Sequence, residues 1–302
     1  MAIISVKNLT KKYGQLKAVD NISFEIKQGE TFGILGPNGA GKTTTLEILE
    51  GLRKMTSGKA YVDKFSVKAD REKIKEIMGV QLQSSSFFEY LTVKEILQLF
   101  ADLYSNPADI NEILKSVQLV AKKKSYVTAL SGGQKQRLSI AAALVNNPKV
   151  IFLDEPTTGL DPQARQNIWR LVKKIQKKGQ TIVLTTHYME EAEQLCDRIA
   201  IMDKGKIISL DTPRGLIKNS GLLTKIIFRV LNEVPRDLLE TCGGRISQTD
   251  HTVVIETAKP EKDLHRLVEC AESKDIELID LVLKQPTLED VFLKSTGRSL
   301  RD

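Results

Sequence analysis

Thr31-Phe32-Gly33-Ile34-Leu35-Gly36-Pro37-Asn38-Gly39-Ala40-Gly41-Lys42-Thr43-Thr44 carries a short apolar run straight into a glycine-rich turn that ends in a lysine and two threonines. Thr31 to Leu35 has the length and character of a fully buried strand. Leu46, Leu49 and Leu52 beyond the turn predict a helix. Gly36-x-x-x-x-Gly41-Lys42-Thr43 has the spacing of a phosphate-binding loop. Its glycines let the backbone curl until several N–H groups converge on one anion, and the helix start adds the positive end of its dipole. In such a loop Lys42 reaches the β- and γ-phosphates of a nucleotide and the Thr43 hydroxyl ligates Mg²⁺. The bland alternative is a glycine-rich turn. Background composition yields the pattern in about one chain in a hundred of this length, and a place between strand and helix weighs further against chance.

Downstream, Val150-Ile151-Phe152-Leu153 reads as a second buried strand, and Asp154-Glu155 follows it directly. Two acids at the carboxyl edge of a parallel sheet stand at the ligand crevice. Asp154 is placed to hold Mg²⁺ and Glu155 to orient and polarise an attacking water. On its own an Asp-Glu pair after a strand is usually a solvated edge; beside a phosphate loop it is functional. Asp161-Pro162 supplies the cap and first-position proline of a helix. Gly179 punctuates that helix before a further apolar strand, Thr181 to Thr186. Strand, helix and strand in this order imply a right-handed crossover in a parallel sheet. Leu130-Ser131-Gly132-Gly133-Gln134 also precedes a helix. A hydroxyl, two glycine N–H groups and a helix start make a second anion site, about 90 residues from the first. A flexible loop is the plain alternative.

The rest of the chain frames these motifs. Ile22, Phe24 and Ile26 alternate with Ser23, Glu25 and Lys27, a half-buried antiparallel strand. Thr92-x-x-Glu95 is a capping box before Val93, Ile96, Leu97 and Phe100. Ile110, Ile113, Leu114 and Val117 make one helical face, and Lys122 to Lys124 a solvated loop. A boundary falls near Asn219-Ser220-Gly221. Beyond it, Ile226 to Leu231, Thr252 to Glu256 and Ile276 to Leu283 read as strands. Leu264, Leu267, Val268 and Ala271 mark one helix, and Thr287-x-x-Asp290 caps another. The expected class is α/β, a parallel-sheet core followed by a small α+β domain at residues 222–302.

Composition narrows the function classes. The 302 residues fit about two domains. With 27% charged and 41% hydrophobic residues, the chain is neither disordered, collagen-like nor a coiled-coil rod. The longest apolar run, Ile140 to Val145, falls far short of the roughly 20 residues of a membrane-spanning helix. The first residues lack the pattern of a secretory signal. Cys196, Cys242 and Cys270 are odd in number and far apart, so neither a disulfide framework nor a zinc site is expected, and a reducing cytoplasm is. A net charge of +7 permits an anionic partner without demanding one.

Two phosphate-binding devices on one chain resemble the nucleotide-binding subunits of ATP-binding cassette (ABC) transporters, over residues 1 to about 215. The resemblance implies a phosphate-loop ATPase core at 1–220, with an N-terminal antiparallel β subdomain and a helical signature subdomain at about 84–146. It implies ATP and Mg²⁺ as ligands. Two subunits, identical or related, would sandwich two ATP molecules, each lending Ser131, Gly132, Gly133 and Gln134 to the other's phosphate loop. Gly36, Pro37, Asn38, Gly39, Ala40, Gly41, Lys42, Thr43 and Thr44 match that loop. Tyr13 stands where the family stacks an aromatic on adenine, an interaction of about 1–3 kcal/mol. Gln83 resembles the glutamine that ligates Mg²⁺ and senses the transport subunit; Gln81 is a rival by composition. Asp161, in Gly159-Leu160-Asp161, matches the loop that crosses the dimer interface. His187 matches the switch histidine at the γ-phosphate; His251 and His265 read as structural or surface residues. Thr43-Thr44 replaces the family's common Ser-Thr and Thr158-Gly159-Leu160 its Ser-Ala-Leu, with no needed group lost.

The tail, Gln285 to Leu293 and then Thr296-Gly297-Arg298, resembles that of drug-resistance-type exporter ATPases. Those proteins sit on the cytoplasmic face of the membrane and pair with separate permeases of about six helices. An ATPase serving an importer, or a soluble cassette protein acting on ribosomes or nucleic acid, is the alternative. The chain has one cassette and no heptad tract, and its charge falls short of a dedicated nucleic-acid footprint, so no nucleic-acid partner is expected.

Overall fold

The computed structural model describes residues 1–82, 87–230, 244–249 and 251–297. The chain forms two compact units, Met1–Pro213 and Arg214–Ser299.

The first unit is built on a six-stranded sheet, in the order β10(Lys206–Asp211)-β9(Arg198–Asp203)-β3(Thr31–Leu35)-β8(Thr181–Thr186)-β7(Val150–Asp154)-β6(Met78–Gln81). β9, β3, β8, β7 and β6 are parallel, and β10 runs antiparallel at the edge. Every residue of β3, β7 and β8 is buried, which is why these strands read as unbroken apolar runs rather than alternating ones. A second, antiparallel sheet joins β2(Leu16–Lys27), β1(Ala2–Tyr13), β4(Ser57–Val62) and β5(Phe65–Ser66). β2 alternates as expected, with Ile22, Phe24 and Ile26 buried. Phe24 stacks on Phe32 of the central sheet with ring centroids 5.3 Å apart, so one core serves both sheets.

Leu52 does not continue the helix after the phosphate loop. That helix is Lys42–Leu49, and Leu52 is 62% exposed. Gly51 takes φ 74°, a left-handed conformation that closes the helix before Leu52 can join its apolar face.

Three helices, Val93–Ala101, Ile110–Ser116 and Gly132–Ala142, lie in sequence between β6 and β7. The Thr92 box is complete: Thr92 N donates to Glu95 Oε2 at 2.7 Å, and Glu95 N donates to Thr92 Oγ1 at 3.3 Å. β6 presses against the end of the last of these helices, where a Cβ on Gly79 would stand 1.8 Å from the Ala143 carbonyl oxygen. Neither side of that contact is a flexible side chain. Gly79→Ala is therefore expected to destabilise the first unit by about 3 kcal/mol, read as a shifted midpoint in urea unfolding. An unchanged midpoint would show that the backbone there can yield.

The second unit is an antiparallel sheet in the order β12(Arg245–Thr249)-β13(Thr252–Thr257)-β11(Thr224–Arg229)-β14(Ile279–Lys284), with the helices Pro260–Ser273 and Leu288–Thr296. Ile226, Phe228, Val253, Ile255, Leu267 and Ala271 form its core. Two expected strands shift. β11 ends at Arg229, and Leu231 lies outside the described residues. β14 starts at Ile279, while Ile276 and Leu278 fill the core from the connection before it. Among the described residues no helix is long and apolar enough to cross a membrane.

Candidate functional site

The carboxyl ends of β3, β7 and β8 bring the motifs together. Residues 36–41 carry β3 into the helix starting at Lys42. Gly41 takes φ 100°, and a Cβ there would stand 2.3 Å from the Ala18 carbonyl oxygen, so only glycine fits this corner. Lys42 is 4% exposed. Its Nζ donates to the carbonyl oxygens of Gly36 (2.9 Å) and Pro37 (3.1 Å) and lies 3.5 Å from Glu155 Oε1. Burial pulls the Lys42 ammonium below its ordinary range, against the attraction of Glu155 and Asp154.

Asp154 ends β7 in register with Thr185 of β8. The Thr185 hydroxyl donates to Asp154 Oδ1, and the Thr43 hydroxyl reaches the same oxygen at 3.4 Å. Burial raises the Asp154 carboxyl above its usual range; the two hydroxyls offset only part of that. Behind them, burial beside Asp154 and Glu47 pushes Glu50 up to about 8. It therefore holds its proton at neutral pH and adds little negative charge to the site.

Glu155 turns out of the strand at φ 48°. Its N–H donates to Thr185, to the carbonyl at 3.2 Å and the hydroxyl at 3.0 Å, which fixes this left-handed corner. One carboxylate oxygen faces Lys42. The other accepts from Thr158 Oγ1 at 3.1 Å and lies 3.3 Å from His187 Nδ1. Burial alone would raise this carboxyl, but Lys42, His187 and Thr158 outweigh it and hold it below the usual range. A buried carboxylate kept ionised among two nitrogen bases is equipped to orient a water and draw off its proton.

A cleft of about 510 Å³ opens in front of these groups. Tyr13, residues 38–44 and Glu155 line it. Tyr13 is 40% exposed, and its ring lies 4.8 Å from Lys11 Nζ and 5.6 Å from the Arg53 guanidinium. Leu16, Lys17, Ala18 and Lys204 complete the rim. They belong to no motif, and only the pairing of β1 with β2 and the position of β9 bring them there.

The other motif residues do not line this cleft. Ser131 caps helix Gly132–Ala142 in a reciprocal box: Gln134 N donates to Ser131 Oγ at 3.4 Å, and Ser131 N to Gln134 Oε1 at 3.0 Å. Asp161 caps helix Pro162–Gln176 by accepting from Ala164 N at 2.8 Å. A Cβ on Gly133 would stand 3.1 Å from that of Ala164, so the two helix starts adjoin and form a separate cluster. Further along, Arg165 lies over the Tyr188 ring at 4.4 Å, and Trp169 Nε1 donates to the buried Glu191 at 3.1 Å. Gln83 lies outside the described residues. Gln81, its rival, is buried at the end of β6 with Nε2 3.4 Å from the Asp154 carbonyl oxygen.

Residues 19–158 match the family model described as "ABC transporter". The linearmycin resistance ATP-binding protein LnrL of Bacillus subtilis (strain 168) is 36% identical over 99% of this chain and 100% of its own length. The Nod factor export ATP-binding protein I of Ralstonia nicotianae is 36% identical over 99% of this chain and 95% of its own. Among solved structures, cbiO1 from Clostridium perfringens, part of the ABC transporter complex cbiONQ, superposes with a TM-score of 0.67 at 32% identity, covering 72% of this chain and 91% of its own. The cassette MJ0796, dimeric in a post-hydrolysis state bound to ADP and Pi, gives a TM-score of 0.62 at 32% identity, covering 69% of this chain and 98% of its own.

Proposed function

The chain belongs to the ABC transporter family as one of its ATP-binding and ATP-hydrolysing subunits, and from that premise we propose that it powers an exporter through a separate membrane permease. The observation that carries the reading is Glu155, set between Lys42 and His187 in a cleft that Tyr13 and residues 38–44 also line.

In this reading the adenine stacks on Tyr13, and the N–H groups of residues 36–44 take the phosphates. Lys42 leaves its two loop carbonyls and Glu155 for the β- and γ-phosphates. Glu155 keeps Thr158 and His187, orients the attacking water and accepts its proton. His187 then faces the γ-phosphate as charge builds up there. The work is positioning and neutralisation rather than covalent chemistry. The Thr43 hydroxyl and the Asp154 carboxylate, 3.4 Å apart, are hard oxygen donors of the kind Mg²⁺ takes, with phosphate and water oxygens completing the shell. Thr43, Asp154 and Gln83 would hold that ion, which when bound neutralises charge on the β- and γ-phosphate oxygens.

The Ser131–Gln134 and Asp161 cluster serves a second subunit, most simply a second copy. It is an anion-ready helix start away from its own cleft, and the similar MJ0796 cassette is a dimer. The permease, of about six helices, would sit on a groove of about 450 Å³ walled by Met78, Val80, Leu82, Phe87, Phe100 and Tyr104. Phe88 and Tyr90 beside it are 67% and 86% exposed. In sequence Gln83 falls between Leu82 and Phe87 of that groove, so an Mg²⁺ ligand at this position would carry closure at the nucleotide to the membrane. The named functions of the relatives, Nod factor export and linearmycin resistance, support export and a place on the cytoplasmic face.

A tagged Glu155→Gln variant, extracted from membranes in mild detergent with ATP and Mg²⁺, is expected to bring down a polytopic membrane protein in stoichiometric amount. Ribosomal proteins or nucleic acid without a membrane protein would sink the exporter reading and leave the ATPase standing.

A further inference from the structure

The second unit contains a cavity of about 480 Å³ that no step of the ATP cycle uses. One row of cross-strand partners runs over its sheet. Arg245 of β12 faces Glu256 of β13, Glu256 faces Lys225 of β11, and Lys225 faces Lys284 of β14. Directly opposed residues project from the same side of a sheet, so this row is a single charged band. All four residues line the cavity, and Asp290 and Lys294 of the last helix join them. The formal balance is four cations against two carboxylates.

Both carboxylates are already committed. Glu256 Oε1 lies 3.1 Å from Lys225 Nζ. Asp290 Oδ2 accepts from Thr287 N at 2.9 Å and Thr287 Oγ1 at 2.8 Å, which closes the helix cap. Lys294 Nζ donates to the Ser220 carbonyl oxygen at 2.7 Å. Among the described residues, no ion pair or hydrogen bond ties down Arg245 or Lys284. Lys225 and Lys284 stand directly opposite each other, a like-charge pair that disfavours the sheet; Asp290, whose carboxyl both lysines help to hold below its usual range, supplies one negative charge beside them. Leu222, Leu223 and Pro286 give the cavity an apolar wall.

We propose that this cavity is a binding site for a phosphate monoester. The two surplus positive charges match a group that carries about −1.5 to −2 at neutral pH. A guanidinium fork and point-charge ammoniums suit tetrahedral phosphate oxygens, and the apolar wall suits the carbon skeleton that an ester brings and inorganic phosphate lacks. The ester is either a soluble metabolite or the headgroup of a phosphatidate-type lipid.

The test uses the full chain as the Glu155→Gln variant in saturating ATP and Mg²⁺, so that the phosphate loop is filled. Glycerol 3-phosphate is titrated by calorimetry, and flotation is measured with vesicles of phosphatidylcholine with and without phosphatidate. Saturable binding to one of the two is expected, weakened about tenfold by Arg245→Gln and by Lys284→Gln, with no loss of thermal stability in either variant. Binding of glycerol 3-phosphate assigns the soluble source, and binding only of phosphatidate vesicles assigns the lipid. No saturable binding to either, or binding that both variants leave intact, overturns the proposal.

Discussion

Glu155→Gln is expected to bind ATP at least as tightly as the parent protein and to hydrolyse it about 10³-fold more slowly. The amide has the shape of the carboxyl and can still accept from Thr158, whose hydroxyl lies 3.1 Å away, so the loop keeps its form. It cannot take a proton from water, and loss of a positioned base costs about 10²–10⁴-fold. Removing the negative charge beside Lys42 also frees the ammonium, 3.5 Å away, for the phosphates. Single-turnover hydrolysis and equilibrium binding separate the two effects. Hydrolysis at the parental rate would show that another group is the base.

Lys42→Ala is expected to weaken ATP binding by about a hundredfold or more, since each charge-assisted hydrogen bond to a phosphate is worth about 1.5–3 kcal/mol. A second consequence follows at Glu155. Lys42 is the leading influence holding that buried carboxyl below its usual range. Without it only His187 and Thr158 oppose burial, the carboxyl's affinity for its proton rises, and the residual hydrolysis rate of the variant should rise as pH increases through the new value. Lys42→Arg should not rescue binding, because the ammonium sits in a cage that leaves it 4% exposed and hydrogen-bonded to two loop carbonyls. Nucleotide titration of all three proteins decides the matter. Parental affinity in the alanine variant would remove Lys42 from the phosphate contacts.

Much of this was legible in the sequence because the chemistry is local. A buried parallel strand is apolar throughout, a cap is a hydroxyl three residues before its partner, and a phosphate loop is a fixed spacing. Those rules place β3, β7, β8, the Thr92 and Thr287 boxes and the Asp161 cap; the Ser131 box, whose serine reads in sequence as part of an anion site, emerges only from the structure. What they miss depends on tertiary contact. Thr185 fixes both Asp154 and Glu155, yet in sequence it is one more residue of an apolar strand; only its register against Asp154 reveals it. Lys17 and Lys204 reach the cleft from separate sheets. β12, Arg245–Thr249, has only Ile246 as an apolar residue, because it is an edge strand with little to bury.

Ser131 illustrates a further point about valence. A hydroxyl offers one hydrogen and two lone pairs. The cap takes only a lone pair, by accepting from Gln134 N. The hydrogen remains available to an incoming oxygen, and the helix need not loosen to receive it. Serine is thus compatible with both duties at once. An aspartate would serve the cap equally well and repel an anion, so the stability of this helix and the phosphate contact proposed for it are traits that a single substitution can separate.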